Sequence, residues 1–111
     1  MTNESLYHVL SVFDIEAETV TEGITRRRIH HSDFASSWLI EFAPGTCWPA
    51  IDRHNREEWY YVLRGEIIEG SQCHPAGTYV RFLPGSSHRP RSRIGAVILG
   101  ITQEQADYRS E

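Results

Sequence analysis

The segment from Gly45 to Gly65 reads GTCWPAIDRHNREEWYYVLRG, and its two halves differ in character. The first is polar and broken by Pro49. The second starts at Glu58 and runs through Trp59, Tyr60, Tyr61, Val62 and Leu63 to Gly65, aromatic and β-branched residues ending on a turn former. That pattern spells a strand followed by a turn. Working outward, Trp38 to Phe42, Glu66 to Ile68, Thr78 to Phe82 and Ala96 to Ile101 read as further strands. The alternating Leu6 to Phe13 and the short run Ile24 to Ile29 join them. Turn signals stand between: Pro44-Gly45, Glu69-Gly70, Pro75-Ala76-Gly77, Pro84-Gly85 and Gly95. Short strands under regular Gly/Pro punctuation point to an all-β sandwich or barrel. Helical periodicity is nearly absent. Thr102 and Gln105 form one capping-box pattern, which predicts a short C-terminal helical turn.

A length of 111 residues predicts one domain, 1–111, able to bury a modest core. With 40% apolar and 23% charged residues the chain falls in the soluble globular range. No apolar run approaches the roughly 18 residues of a membrane helix. The start, Met1-Thr2-Asn3-Glu4, has neither the basic residues nor the apolar stretch of a signal peptide, so a cytoplasmic location is expected. A net charge of −4 argues against nucleic acid as a partner. Cys47 and Cys73 are read as small apolar residues at strand ends, not a disulfide framework or a metal knuckle.

The chemistry concentrates in two segments, 45–65 and 77–92, the latter reading GTYVRFLPGSSHRPRS. His54 and Glu58 fall just before a strand that ends in a glycine turn. His88 follows a Pro-Gly turn at the end of another strand. Strands of a small barrel point alternate side chains inward, so these three can converge. Two imidazoles and one carboxylate form the facial triad of non-heme Fe(II) sites; Zn(II), Mn(II), Co(II) or Ni(II) would also suit them. If Glu58 points inward, Tyr60 and Val62 follow it, and Trp59 and Tyr61 face out. Tyr60 is then either a pocket phenol that orients substrate or donates a proton, or a core aromatic with its hydroxyl satisfied. Trp48 lines the mouth of the pocket or simply packs. Arg81, Arg89, Arg91 and Arg93 cluster around His88, and Arg53 and Arg56 flank His54. Arg81 and Arg91 could favour an anionic or enolate substrate. The alternative is a solvated or dimer-interface set of arginines that pair with the acidic residues.

These two segments resemble the motifs of the cupin superfamily. The first is similar to cupin motif one, in which a His-x-His pair precedes a Glu that lies seven residues before a Gly; Glu58 and Gly65 keep that spacing. The second is similar to motif two, with Gly77, Pro84-Gly85 and His88 in register. A narrower likeness, carried by Pro75 to Arg81 and Pro84 to Gly95, is to the cupin domain of ChrR-type anti-sigma factors and to acetylacetone dioxygenase-like enzymes. The resemblance implies a double-stranded β-helix, or jelly-roll, barrel with one divalent metal on His54, Glu58 and His88, and a homodimer formed through the N-terminal strand. Asp52 replaces the first His of His-x-His, so a three-histidine, one-glutamate site is not available. Asp52 is a fourth ligand, a hydrogen-bond acceptor for a liganding imidazole, or a solvent-facing group.

The expectation for function is a metal-dependent enzyme, Fe(II) favoured, that acts like a dioxygenase on an enolisable carbonyl or hydroxy-carbonyl metabolite. The alternatives are a non-redox Zn or Mn isomerase, cyclase or decarboxylase with Glu57 or Asp52 as base, and a non-catalytic metal- or ligand-sensing module.

Overall fold

The computed structural model describes residues 6–104. It is built almost entirely of antiparallel strands: β1 (Glu18–Thr21), β2 (Ile24–His31), β3 (Ala35–Phe42), β4 (Thr46–Cys47), β5 (Asp52–Arg53), β6 (Glu58–Glu69), β7 (Gln72–Pro75), β8 (Tyr79–Phe82), β9 (Ser87–His88), β10 (Arg91–Ser92) and β11 (Ala96–Gln103). The main sheet runs β1-β2-β3-β11-β6-β10-β4, with β7 and β8 also paired to β6. It curls into a half-barrel, and β5 pairs with β9 as a separate ribbon.

Strand β6 organises the fold because its two halves belong to different neighbours. From Glu58 to Gly65 it pairs with β11 and β8; from Glu66 to Glu69 it pairs with β7 and touches β10 at Ile68. Gly65, expected as a turn that ends the strand, instead bends it. Its φ is +72°, and a Cβ there would stand 1.9 Å from the Gly95 carbonyl oxygen, so no larger residue fits. The bend folds one wall of the barrel over the other. Inward side chains of both halves then meet Ile24, Phe42, Ala96 and Ile98 in one core. Ile24, Val62 and Ile67 retain no exposed surface, worth about 1.5–3 kcal/mol each in burial.

Two expected elements differ. Leu6 to Phe13 is not a strand: residues 6–11 are irregular and Val12–Asp14 is a single 3-10 turn. The turn satisfies its own backbone through Asp14 N–H to Ser11 and Ile15 N–H to Val12. Arg27 then pins it, donating from Nε to the Ile15 carbonyl and lying 5.1 Å over the Phe13 ring. Alternation alone makes no strand: the segment is held by side-chain contacts of Arg27 and not by a ladder. Thr102, proposed as a helix cap, sits in β11 opposite Glu58 and Ser36. The rest of the proposed C-terminal turn, from Gln105, lies outside the described residues. No helix among the described residues is long and apolar enough to cross a membrane.

Candidate metal centre

Each donor of the site is delivered by a short piece of backbone tied to another. Asp52 and His88 face one another across the β5–β9 ribbon. Beyond its end, the His54 N–H donates to the Ser86 carbonyl at 2.9 Å and the Gly85 N–H donates to the His54 carbonyl at 2.8 Å. Gly85 turns the chain here with φ +96°, so the Pro84-Gly85 signal serves to bring the 77–92 segment back alongside His54. Glu58 opens β6, opposite Phe82 on β8. Phe82 packs against both imidazoles, with ring centroids 5.2 Å from His54 and 4.1 Å from His88.

One donor atom from each of Asp52, His54, Glu58 and His88 lies within 4.8 Å of all the others. His88 Nε2 is 3.5 Å from both the Asp52 and Glu58 carboxylates, and His54 Nδ1 is 3.5 Å from Glu58. The Nε2 atoms of His54 and His88 are nevertheless buried without a hydrogen-bond partner. An unpaired buried imidazole nitrogen is costly, so two of them beside two carboxylates fit a cation that both would ligate. Hard carboxylate oxygens with borderline imidazoles match first-row divalent ions and leave the choice among them open.

The surroundings reinforce that fit. His88 Nδ1–H donates to Glu69 at 2.9 Å, and the same Glu69 oxygen accepts the Tyr60 hydroxyl at 2.7 Å. A carboxylate on the far nitrogen fixes the tautomer and the ring of a ligating histidine. Burial by itself would lower the His88 pKa, but the carboxylates of Asp52, Glu58 and Glu69 around the ring outweigh it and carry it up to about 11. A divalent ion held by these donors would displace the proton from His88 Nε2. The His88 imidazole beside it keeps the Asp52 carboxyl below its usual range, against the opposing effect of burial.

A cavity of about 210 Å³ opens beside the donors. Asp52, Glu58 and His88 stand at one part of it, and Trp38, Ile40, Phe42, Trp48, Tyr60 and Ile98 supply apolar and aromatic wall. Trp48 therefore lines the cavity, with its ring 6.1 Å from Phe42. Tyr60 lines it too, with its hydroxyl donated to Glu69, the arrangement of the core-aromatic alternative; burial and that carboxylate push its pKa well up.

Glu57 is also corrected. It faces away from Glu58, and its carboxylate is clamped by Arg81 at 2.8 and 3.0 Å on the exposed side of the sheet. Neither Glu57 nor Arg81 lines the cavity, and Arg91 is likewise exposed and outside it. The arginine at the cavity is Arg26 of β2, which sequence reasoning missed, as it missed Glu69 and Phe82. Ser92 is a buried structural pin: it donates to the Glu66 carbonyl at 2.7 Å and accepts from the Gly95 N–H at 2.9 Å.

A curled antiparallel half-barrel with an Asp-His-Glu-His cluster on its inner side is a cupin architecture. Comparison of the sequence with family models matches residues 8–106 to the ChrR cupin-like domain, and the chain belongs to that family. No curated protein matches it by sequence. Among solved structures it resembles an RmlC-like cupin from Shewanella frigidimarina, with 18% identity, TM-score 0.78 and coverage of 88% of this chain and 91% of the other. It is similar to the polyketide cyclase RemF from Streptomyces resistomycificus, with 16% identity, TM-score 0.76 and coverage of 96% and 89%. It is also similar to an acetylacetone dioxygenase from Acinetobacter johnsonii, with 14% identity, TM-score 0.75 and coverage of 93% and 76%. At these identities the likeness is one of fold.

Proposed function

We propose that the protein is a metal-dependent enzyme acting on a small enolisable carbonyl or hydroxy-carbonyl metabolite, with Fe(II) and dioxygenase-like chemistry favoured. The observation that carries this reading is the buried, unpartnered pair of imidazole nitrogens beside two carboxylates, opening on a mainly apolar cavity of about 210 Å³. A bound divalent ion would supply Lewis-acid chemistry and, if iron, redox chemistry there. His54, Glu58 and His88 would hold it, with Asp52 as a fourth donor. Glu69 keeps the His88 ring in place by accepting its Nδ1 proton, and Phe82 keeps water from the rear of both rings. The wall formed by Ile40, Phe42 and Ile98 orients the apolar part of a substrate. With Glu57 on the outside, Asp52, where it does not ligate the ion, is the cavity carboxylate that would take a proton from an enolisable carbon.

One observation favours a second reading. Asp52 belongs to the cluster, and four protein donors leave fewer positions for substrate and O₂ than a facial triad does. That set suits a non-redox Zn or Mn centre, as in an isomerase, cyclase or decarboxylase. Metal analysis of protein purified without chelator, followed by O₂ uptake against β-dicarbonyl and hydroxy-aromatic compounds, separates the two. Bound iron with substrate-triggered O₂ consumption supports the dioxygenase. Tight zinc or manganese with product but no O₂ consumption supports the second reading, and tight metal with no turnover supports a non-catalytic, sensing role. The proposal extends to a homodimer, supported by the exposed Leu6, Val9 and Phe13 side chains, and light scattering on the eluting protein tests it.

A further inference from the structure

We propose that Arg26 and Gly100 select the cavity's ligand: a small compound with enolisable carbonyl oxygens at one end and a carboxylate at the other. This rests on the metal-centred reading above and narrows its ligand class.

Arg26 lies on β2, opposite Ile40 of β3, and lines the same cavity as Asp52, Glu58 and His88. Its guanidinium is 4.6 Å from the centroid of Trp38, another cavity residue, and this stacking holds the group in place. The cavity therefore combines a region of carboxylate and imidazole donors with a stacked guanidinium that is ion-paired on its outer side with Glu18. Nε–H of Arg26 donates to the exposed Glu18 at 2.5 Å. That bond takes one of the five N–H groups, and the two terminal amino groups keep theirs for a planar anion.

Gly100 gives an independent sign of a ligand. Of the eight glycines in the chain, Gly23, Gly45, Gly65, Gly70, Gly77, Gly85 and Gly95 have positive φ, and Gly100 does not. A Cβ at Gly100 would meet only the Trp59 carbonyl oxygen, at 3.8 Å, an ordinary contact. Neither backbone conformation nor crowding requires glycine, and a glycine within a strand weakens it. Gly100 continues the buried inward series Ala96, Ile98, Gly100 of β11 and forms part of the cavity lining. The missing side chain keeps space open between Tyr60 and Trp38, its register partners on either side.

The test titrates metal-loaded and metal-free protein with 4,6-dioxoheptanoate and with its uncharged counterpart 2,4-heptanedione. The wild type is expected to bind the carboxylate compound about 10- to 100-fold more tightly in the loaded form. The metal-free form should show the same preference at weaker affinity. Arg26→Met should bind the two compounds alike while carrying the same metal content as the wild type. Gly100→Ala should weaken binding of both severalfold and yet raise the thermal midpoint, since alanine at an ordinary strand φ restricts the unfolded chain. A wild type without charge preference in either form, or an Arg26→Met variant that keeps the preference, overturns the Arg26 assignment. Undiminished binding in Gly100→Ala overturns that of Gly100. Failure to bind metal overturns the metal-centred reading, and the metal-free titration still judges Arg26 in that case.

Discussion

On the outer side of the sheet Glu57 and Arg81 meet in a bidentate pair at 2.8 and 3.0 Å. On the inner side, one residue further along the chain, Glu58 stands 3.5 Å from both His54 and His88. The outer pair has the better hydrogen-bond geometry, but it is exposed, complete in itself and remote from the cavity. The inner set is looser, and two of its nitrogens are buried with nothing to bond. Water supports the first arrangement and screens it. The second leaves donor capacity unused in a dry place, which a fold sustains where a cation is to be bound. Unmet capacity under burial, and not closeness of charges, marks the site.

This contrast can be broken from either side. The largest effect is expected from His88→Ala, which removes a donor and leaves Asp52, Glu58 and Glu69 without their shared partner. Metal affinity, measured by competition with a chelator, should fall further than for any change behind the ligands. Glu69→Gln keeps every donor and withdraws only the acceptor that orients His88, so a loss of about 10- to 100-fold in affinity is expected in the same assay. Tyr60→Phe removes one of the two hydrogen bonds on Glu69 and should cost about 1 kcal/mol of stability, read from urea unfolding. Its loss of metal affinity should be smaller than that of Glu69→Gln. Arg81→Met, on the outer face, should leave metal content at the wild-type level and shift the unfolding midpoint least. If Arg81→Met lowered metal content as Glu69→Gln does, the two faces would not be distinct.

Much of the barrel was legible because strand periodicity and turn chemistry are local. Trp38 to Phe42 and Ala96 to Ile101 fall within β3 and β11, and Glu58 and Tyr60 share the inner face through simple alternation. The same local rule misled at Leu6 to Phe13, where alternating residues pair with no strand and end in a 3-10 turn. What joins the site across the fold was hidden. Glu69 looked like half of a Glu-Gly turn, because its bond to His88 spans 19 residues and needs the bend at Gly65. Arg26 stood in the short run Ile24 to Ile29, where nothing local ties it to His54 or His88, and only the pairing of β2 with β3 sets it beside Trp38 and the cavity. Arg81 was close to His88 in sequence, but its place on β8, opposite Trp59, turns it outward.

The central claim is that Asp52, His54, Glu58 and His88 form one divalent-metal centre. The most direct test is anomalous diffraction at the metal edge from crystals of protein loaded with one equivalent of Mn(II), Fe(II) or Zn(II). The account predicts a single ion per chain, bonded to Asp52, His54, Glu58 and His88 at about 2.0–2.2 Å. An ion bound elsewhere, or no ion at these residues under saturating metal, would contradict it.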